Sequence, residues 1–79
     1  MTNIDNLVLD VIAKQVHKNT LMGHPNKWVS IAEITDGIYR WMGMKKYSPE
    51  SVRKSVKKMS EANVVCCTKR KGRLRVSLN

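Results

Sequence analysis

Phenylalanine is absent from the 79 residues, so aromatic packing falls to Trp28, Trp41, Tyr39 and Tyr47. No apolar run approaches the roughly 18 residues that suggest a membrane-spanning helix, and no membrane partner is expected. The opening stretch "MTNIDNLVLDVIAKQ" carries acids where a secretory leader has cations. The two cysteines, Cys66 and Cys67, are adjacent. Neighbouring strand residues point to opposite faces, which disfavours a bridge between them and fits a reducing, cytoplasmic compartment. A zinc set would have to combine them with His17 and His24. Adjacent cysteines are poor ligand spacing, and the chain has neither a Cys-x-x-Cys nor a His-x₃-His pair. One buried strand cysteine beside an exposed one is the expectation, with no metal or other cofactor. Acids are also scarce, six in all. They are scattered over helix surfaces and caps, and no nucleophile–base pair can be nominated from spacing, so the chain is not expected to be an enzyme. Repeats and low-complexity segments are missing too.

What remains is enough for one domain with a thin core: 79 residues at 42% hydrophobic content. The charge is unevenly placed. Residues 1–44 balance Lys14, Lys18, Lys27 and Arg40 against Asp5, Asp10, Glu33 and Asp36. Residues 45–79 hold Lys45, Lys46, Arg53, Lys54, Lys57, Lys58, Lys69, Arg70, Lys71, Arg73 and Arg75, opposed by Glu50 and Glu61 alone. The whole formal excess of +9 therefore lies in the second part. A solubility surplus would have no need to segregate in this way. Segregation points to a polyanionic partner, nucleic acid before an acidic membrane.

Hydrophobic spacing orders the chain. Ile4, Leu7, Val8, Val11, Ile12 and Val16 recur as one helix face, predicting a helix over about 3–18 with Asp5 suited to its positive end. After a loop punctuated by Gly23 and Pro25, Trp28 and Val29 leave room for a minimal strand. Ser30 followed by Glu33 forms a capping box for a helix over about 31–42, its buried stripe Ile31, Ile34, Ile38 and Trp41 or Met42, with Gly43 free to end it. Ser48 and Pro49 are N-cap and first residue of a third helix, about 49–62. Val52, Val56, Met59 and Ala62 face inward there, Lys54, Lys57 and Lys58 face outward, Arg53 takes the flank, and Asn63 terminates. Residues 64–68 have strand composition. After the basic run, Leu74, Val76 and Leu78 alternate with Arg73, Arg75 and Ser77, so about 64–78 reads as a hairpin turning at Gly72.

This order, and in particular "SPESVRKSVKKMSEANVVCCTKRKGRLRVSL", resembles the winged helix-turn-helix DNA-binding domain family. "KMSEANVV" stands where that family often has a leucine, an acidic or alanine pair, a glycine and an apolar strand, with Asn63 in the glycine's place. "SIAEITDGIYRWMG" resembles the supporting helix, although the connection "GMKKY" is longer than the simplest turn. The resemblance implies an α+β winged-helix fold over residues 1–79: three helices and a small antiparallel sheet, the C-terminal hairpin being the wing. It also implies a small stand-alone regulator of phage, viral, plasmid or microbial kind, nucleoid-associated in a microbe and inside the host cell for a virus. Its partner is double-stranded DNA, with the third helix in the major groove and the wing on a backbone or minor groove.

The residues reach the same place independently, because a basic helix face fits a groove about 12 Å wide. Candidate contacts on the helix are Ser51, Arg53, Lys54, Lys57 and Lys58, with Ser51 and Lys54 placed nearest base edges. The helix N-terminus offers backbone N–H groups to a phosphate. The wing supplies Lys69, Arg70, Lys71, Arg73 and Arg75, and Lys45, Lys46 and Tyr47 flank the helix against the backbone. Trp28 and Trp41 are expected to be structural rather than stacking platforms. "KRKGR" also reads as a nuclear-localisation run, subordinate to its place in a hairpin. A second class of function is an adaptor that docks an acidic protein, such as a host factor or polymerase subunit. RNA ranks below duplex DNA because the third helix has no aromatic residue for stacking. Oligomeric state is open between a monomer and a weak homodimer, including one formed on DNA.

Overall fold

The computed structural model describes residues 3–23, 26–43 and 47–78. Three helices and three strands follow in the order α1 (Asn3–Leu21), β1 (Val29–Ser30), α2 (Ile31–Met42), α3 (Pro49–Glu61), β2 (Val65–Arg70) and β3 (Arg73–Leu78). The architecture is α+β, with one antiparallel sheet in the order β1-β3-β2.

Local chemistry sets most of the boundaries. The Ser30 hydroxyl accepts from the Glu33 N–H at 3.1 Å and donates to Glu33 Oε1 at 3.1 Å, so the two side chains lock the first turn of α2. Gly43, at φ 67°, ends that helix by donating its N–H to the Ile38 and Tyr39 carbonyls. Ser48 caps α3 through the Ser51 N–H, with Pro49 inside the first turn. At the other end Asn63 takes φ 60°. Val64 N–H then reaches Met59 O at 2.8 Å and Asn63 N–H reaches Ser60 O at 3.1 Å, the double closure of a Schellman motif.

Three expectations are corrected. α1 runs to Leu21, about a turn further than its apolar stripe, because the chain stays helical until Gly23 supplies φ 79°. β1 is Val29–Ser30 rather than Trp28–Val29: the Trp28 N–H is taken by Asn26 Oδ1 at 3.0 Å, an Asx turn that precedes the strand. Ala62 is exposed. It is the C-cap, where the helix has ended and the 100° step no longer fixes its direction. Of the two alternatives for the end of the α2 stripe, Trp41 is 39% exposed, and the Met42 side chain lies outside what is described.

Among the described residues no aromatic side chain is fully buried in the core, and Tyr47 packs against it half-buried. Val8, Val11 and Ile12 of α1 meet Ile31, Ile34 and Ile38 of α2, Val52, Val56 and Met59 of α3, and Val29, Val65 and Val76 of the sheet. Leu7 packs against this cluster half-buried. Nearly all of these residues are β-branched and stiff at χ1, so burying them costs little rotamer entropy. That compensates for small size in a thin core. α1 and α2 approach closely at Gly37, where a Cβ would lie 2.5 Å from Val11 Cγ1.

Strand pairing fixes the two faces of the sheet. Val76 stands opposite Val29 on one side and Cys67 on the other, and Leu78 opposite Val65. This face turns to the core. The alternate residues, Arg75 paired with Ser30 and Thr68, and Arg70 paired with Arg73, belong to the outer face. The hairpin turns through Lys71 at φ 51° and Gly72 at φ 76°, two consecutive left-handed residues of the type I′ form that matches strand twist.

Candidate nucleic-acid interface

The cations fall into two groups by the element that carries them. On α3, Val52, Ser55, Val56 and Met59 are buried, which turns Arg53, Lys54 and Lys57 outward. Ser51 is half-buried, its Oγ 3.2 Å from Ser48 Oγ within the cap. Tyr47, Ser51, Lys54 and Lys58 line one shallow cleft of about 370 Å³ with Ile4, Asp5 and Ser55. Lys45 and Lys46 lie outside the described residues.

Lys58 is exposed along its stem but not idle. Its Nζ sits 2.8 Å from Oδ2 of Asp5, a carboxylate with no exposed surface, while the Lys58 side chain is 57% exposed. Ser55 Oγ donates to the other oxygen, Asp5 Oδ1. Asp5 stands in the first turn of α1, as expected of a helix-dipole acid, and it also fastens α1 to α3. A side-chain bond across 50 residues leaves no mark in helical periodicity, and the small polar Ser55 within an apolar face was the one available sign.

On the hairpin, Lys69, Arg70, Lys71 and Arg73 are exposed and Arg75 is half-buried. Arg70, Lys71, Arg73 and Arg75 surround a groove of about 690 Å³. Arg75 Nη1 lies 3.7 Å from Glu33 Oε1, the same oxygen that holds the capping box. The other two acids of the first half pair within their helices, Asp10 with Lys14 and Asp36 with Arg40. Among the described residues, then, Lys18, Lys27, Arg53, Lys54, Lys57, Lys69, Arg70, Lys71 and Arg73 have no carboxylate partner. The α3 cleft and the hairpin groove share no lining residue.

Neither tryptophan is fully buried. Trp28 is half-buried, with the Lys27 ammonium 5.4 Å from its ring centroid, and it lines a groove of about 360 Å³ with Asn26, Thr68, Arg70 and Arg75. Trp41 lies against Gly37 and shares a cleft with Gln15 and Lys18. Cys66 is exposed and Cys67 half-buried, both as reduced thiols. Among the described residues no group of three His, Cys, Asp or Glu side chains is placed to hold a metal ion. Among those residues, too, no helix is long and apolar enough to cross a membrane. No family model, curated protein or solved structure matches this chain.

Proposed function

We propose that the chain is a winged helix-turn-helix protein that binds double-stranded DNA, a small transcriptional regulator in kind, with α3 entering the major groove and the β2–β3 wing gripping a backbone or minor groove. The observation that carries this reading is where the acids go. The acids of the first half are each engaged in an ion pair, two of them with Lys58 and Arg75. Among the described residues, nine cations have no carboxylate partner; apart from Lys18 and Lys27 they lie on the outward side of α3 and on the hairpin, the two elements that a groove and its flanking phosphates would meet. The element order and the helix caps suit the same layout.

Lys54 is the test. It is exposed on α3, with no carboxylate partner among the described residues. Lys54→Glu should leave the fold intact, because surface substitutions usually stay within about 0.5 kcal/mol. It should remove duplex binding, because like charges meeting at an interface cost several kcal/mol. The gentler Lys54→Ala should weaken all sequences alike if the ammonium meets phosphate, and relax one base position at about 1–3 kcal/mol if it reads a base edge. Binding to duplex DNA, single-stranded DNA and duplex RNA at two salt concentrations gives the readout. A folded Lys54→Glu protein with wild-type duplex affinity would remove α3 from the groove.

One observation favours the adaptor as the second reading. Leu21 and Met22 at the end of α1 are 73% and 64% exposed, and Tyr39 and Trp41 of α2 are also exposed. A protein partner would cover such side chains, and DNA would not.

A further inference from the structure

The groove on the outer face of the sheet has a chemistry that phosphate gripping alone does not require. Its lining joins one indole, two guanidinium groups, a hydroxyl and an amide: Trp28, Arg70, Arg75, Thr68 and Asn26. At about 360 Å³ it falls within the range of small-ligand sites. The lining is too polar for a greasy ligand and too cationic for a neutral one. Trp28 brings a flat ring to this face because Val29, its neighbour, is committed to the core. The Asx turn through Asn26 fixes the backbone at Trp28, and the Asn26 carbonyl accepts from Asn19 Nδ2 at 3.4 Å. Arg75 is held from the other side by Glu33, which orients the guanidinium and offsets part of its charge. The Lys27 ammonium lies over the ring, 5.4 Å from its centroid, and a base stacking on that face would displace it.

We infer that this groove is a second nucleic-acid site, for an unpaired nucleotide whose base stacks on Trp28 and whose phosphate lies between Arg70 and Arg75. A base offers a π-face of any sequence to an indole, and a guanidinium fork matches phosphate oxygens. A duplex keeps its bases stacked inside and cannot use the ring. The groove therefore distinguishes a strand end, gap or overhang from continuous duplex. The inference rests on the nucleic-acid reading above and adds the kind of DNA structure the protein prefers.

The test uses the full chain carrying Trp41→Phe, so that Trp28 is its only tryptophan. Three probes are titrated: a blunt duplex of about 16 base pairs, the same duplex with an overhang of about four thymidines, and oligothymidylate alone. The overhung duplex should bind about 5- to 150-fold more tightly than the blunt one, the worth of one stacked base, and it alone of the two duplexes should quench Trp28 emission. Trp28→Leu keeps apolar bulk without a π-face. It should erase the overhang increment and leave blunt-duplex affinity where it was. Equal affinity and equal emission with both duplexes would overturn the inference and leave the duplex reading standing. This comparison needs no substitution at Trp28, so it decides even where Trp28→Leu fails to fold. Binding of oligothymidylate and of the overhung duplex with quenching, but not of the blunt duplex, would support the groove and overturn the duplex reading. Binding of no probe would overturn both.

Discussion

Asp5 is a carboxylate with no solvent exposure in a protein with a formal charge of +9. A buried charge is tolerated only when paired and hydrogen-bonded. Here Ser55 and Lys58 meet that need, one oxygen each. The two partners lie on one side of α3, so the arrangement fixes the rotation of that helix against α1 and, with it, the direction in which Arg53, Lys54 and Lys57 point. Lys58 and Lys54 look alike in sequence, both outward lysines of one helix, yet their replacement should differ. Lys58→Ala leaves the Asp5 carboxylate buried without its ammonium. Loss should be about 1–3 kcal/mol, between the value of an exposed pair and that of breaking a fully buried one. Lys54→Ala should cost no more than about 0.5 kcal/mol. Urea unfolding of the two proteins checks this: coincident midpoints would mean that the Asp5–Lys58 bridge does not stabilise the fold. Bridge and groove also compete for one ammonium, which makes Lys58 a weaker DNA candidate than its neighbours on the helix.

At the scale of elements, α2 is the most constrained. Its capping box holds one end, its glycine closure the other, and Gly37 in the middle allows α1 to approach. Adding a methyl there brings carbon to 2.5 Å from Val11 Cγ1, a fully buried, β-branched side chain with nowhere to move, and to 3.3 Å from the Trp41 ring. Gly37→Ala gains about 1 kcal/mol of helix propensity and incurs about 1–3 kcal/mol of overpacking. The expected result is net destabilisation, read as a fall in the thermal midpoint of roughly 4–8 °C per kcal/mol. A midpoint raised by the substitution would show that the helices separate easily. The elements themselves were legible because their signals are local: Ser30 with Glu33, Ser48 with Pro49, Gly43, Asn63, and the alternation from Arg73 to Leu78. The misses depend on what lies across the core. Gly37 within α2 owes its place to a neighbouring helix. Trp41 follows the helical period of its stripe, but the aliphatic core closes without it. The groove that Trp28 shares with Arg70 and Arg75 is set by the register of strands far along the chain. Of the site, exposure of the candidate cations on α3 and the hairpin was legible from period alone, whereas the pairing of Lys58 and Arg75 was not.

For the whole molecule, the distribution of charge matters more than its sum. The protein measures 32 × 27 × 22 Å, and the Debye length at physiological salt is about 8 Å. Opposite sides are thus screened from each other, and a balanced first half does not dilute the field of the hairpin. Binding to duplex DNA should accordingly be governed by local phosphate neutralisation and fall steeply with salt. For each phosphate that a variant no longer neutralises, the slope of log affinity against log salt should become shallower by about 0.9. Replacing Lys69, Arg70, Lys71, Arg73 and Arg75 together with Ala would lower the slope by about 4.5 if all five touched phosphate. Arg75 is partly neutralised by Glu33, with a side chain 32% exposed, so its share should fall short and the total should lie between about 3.6 and 4.5. Arg75→Ala alone should then change the slope less than Arg73→Ala alone. Helical content, measured by circular dichroism, should not change in the five-fold variant, because none of the five side chains enters the core. Wild-type affinity and slope in that variant would mean that the hairpin is not an electrostatic contact, and the outward face of α3 would have to account for duplex binding alone.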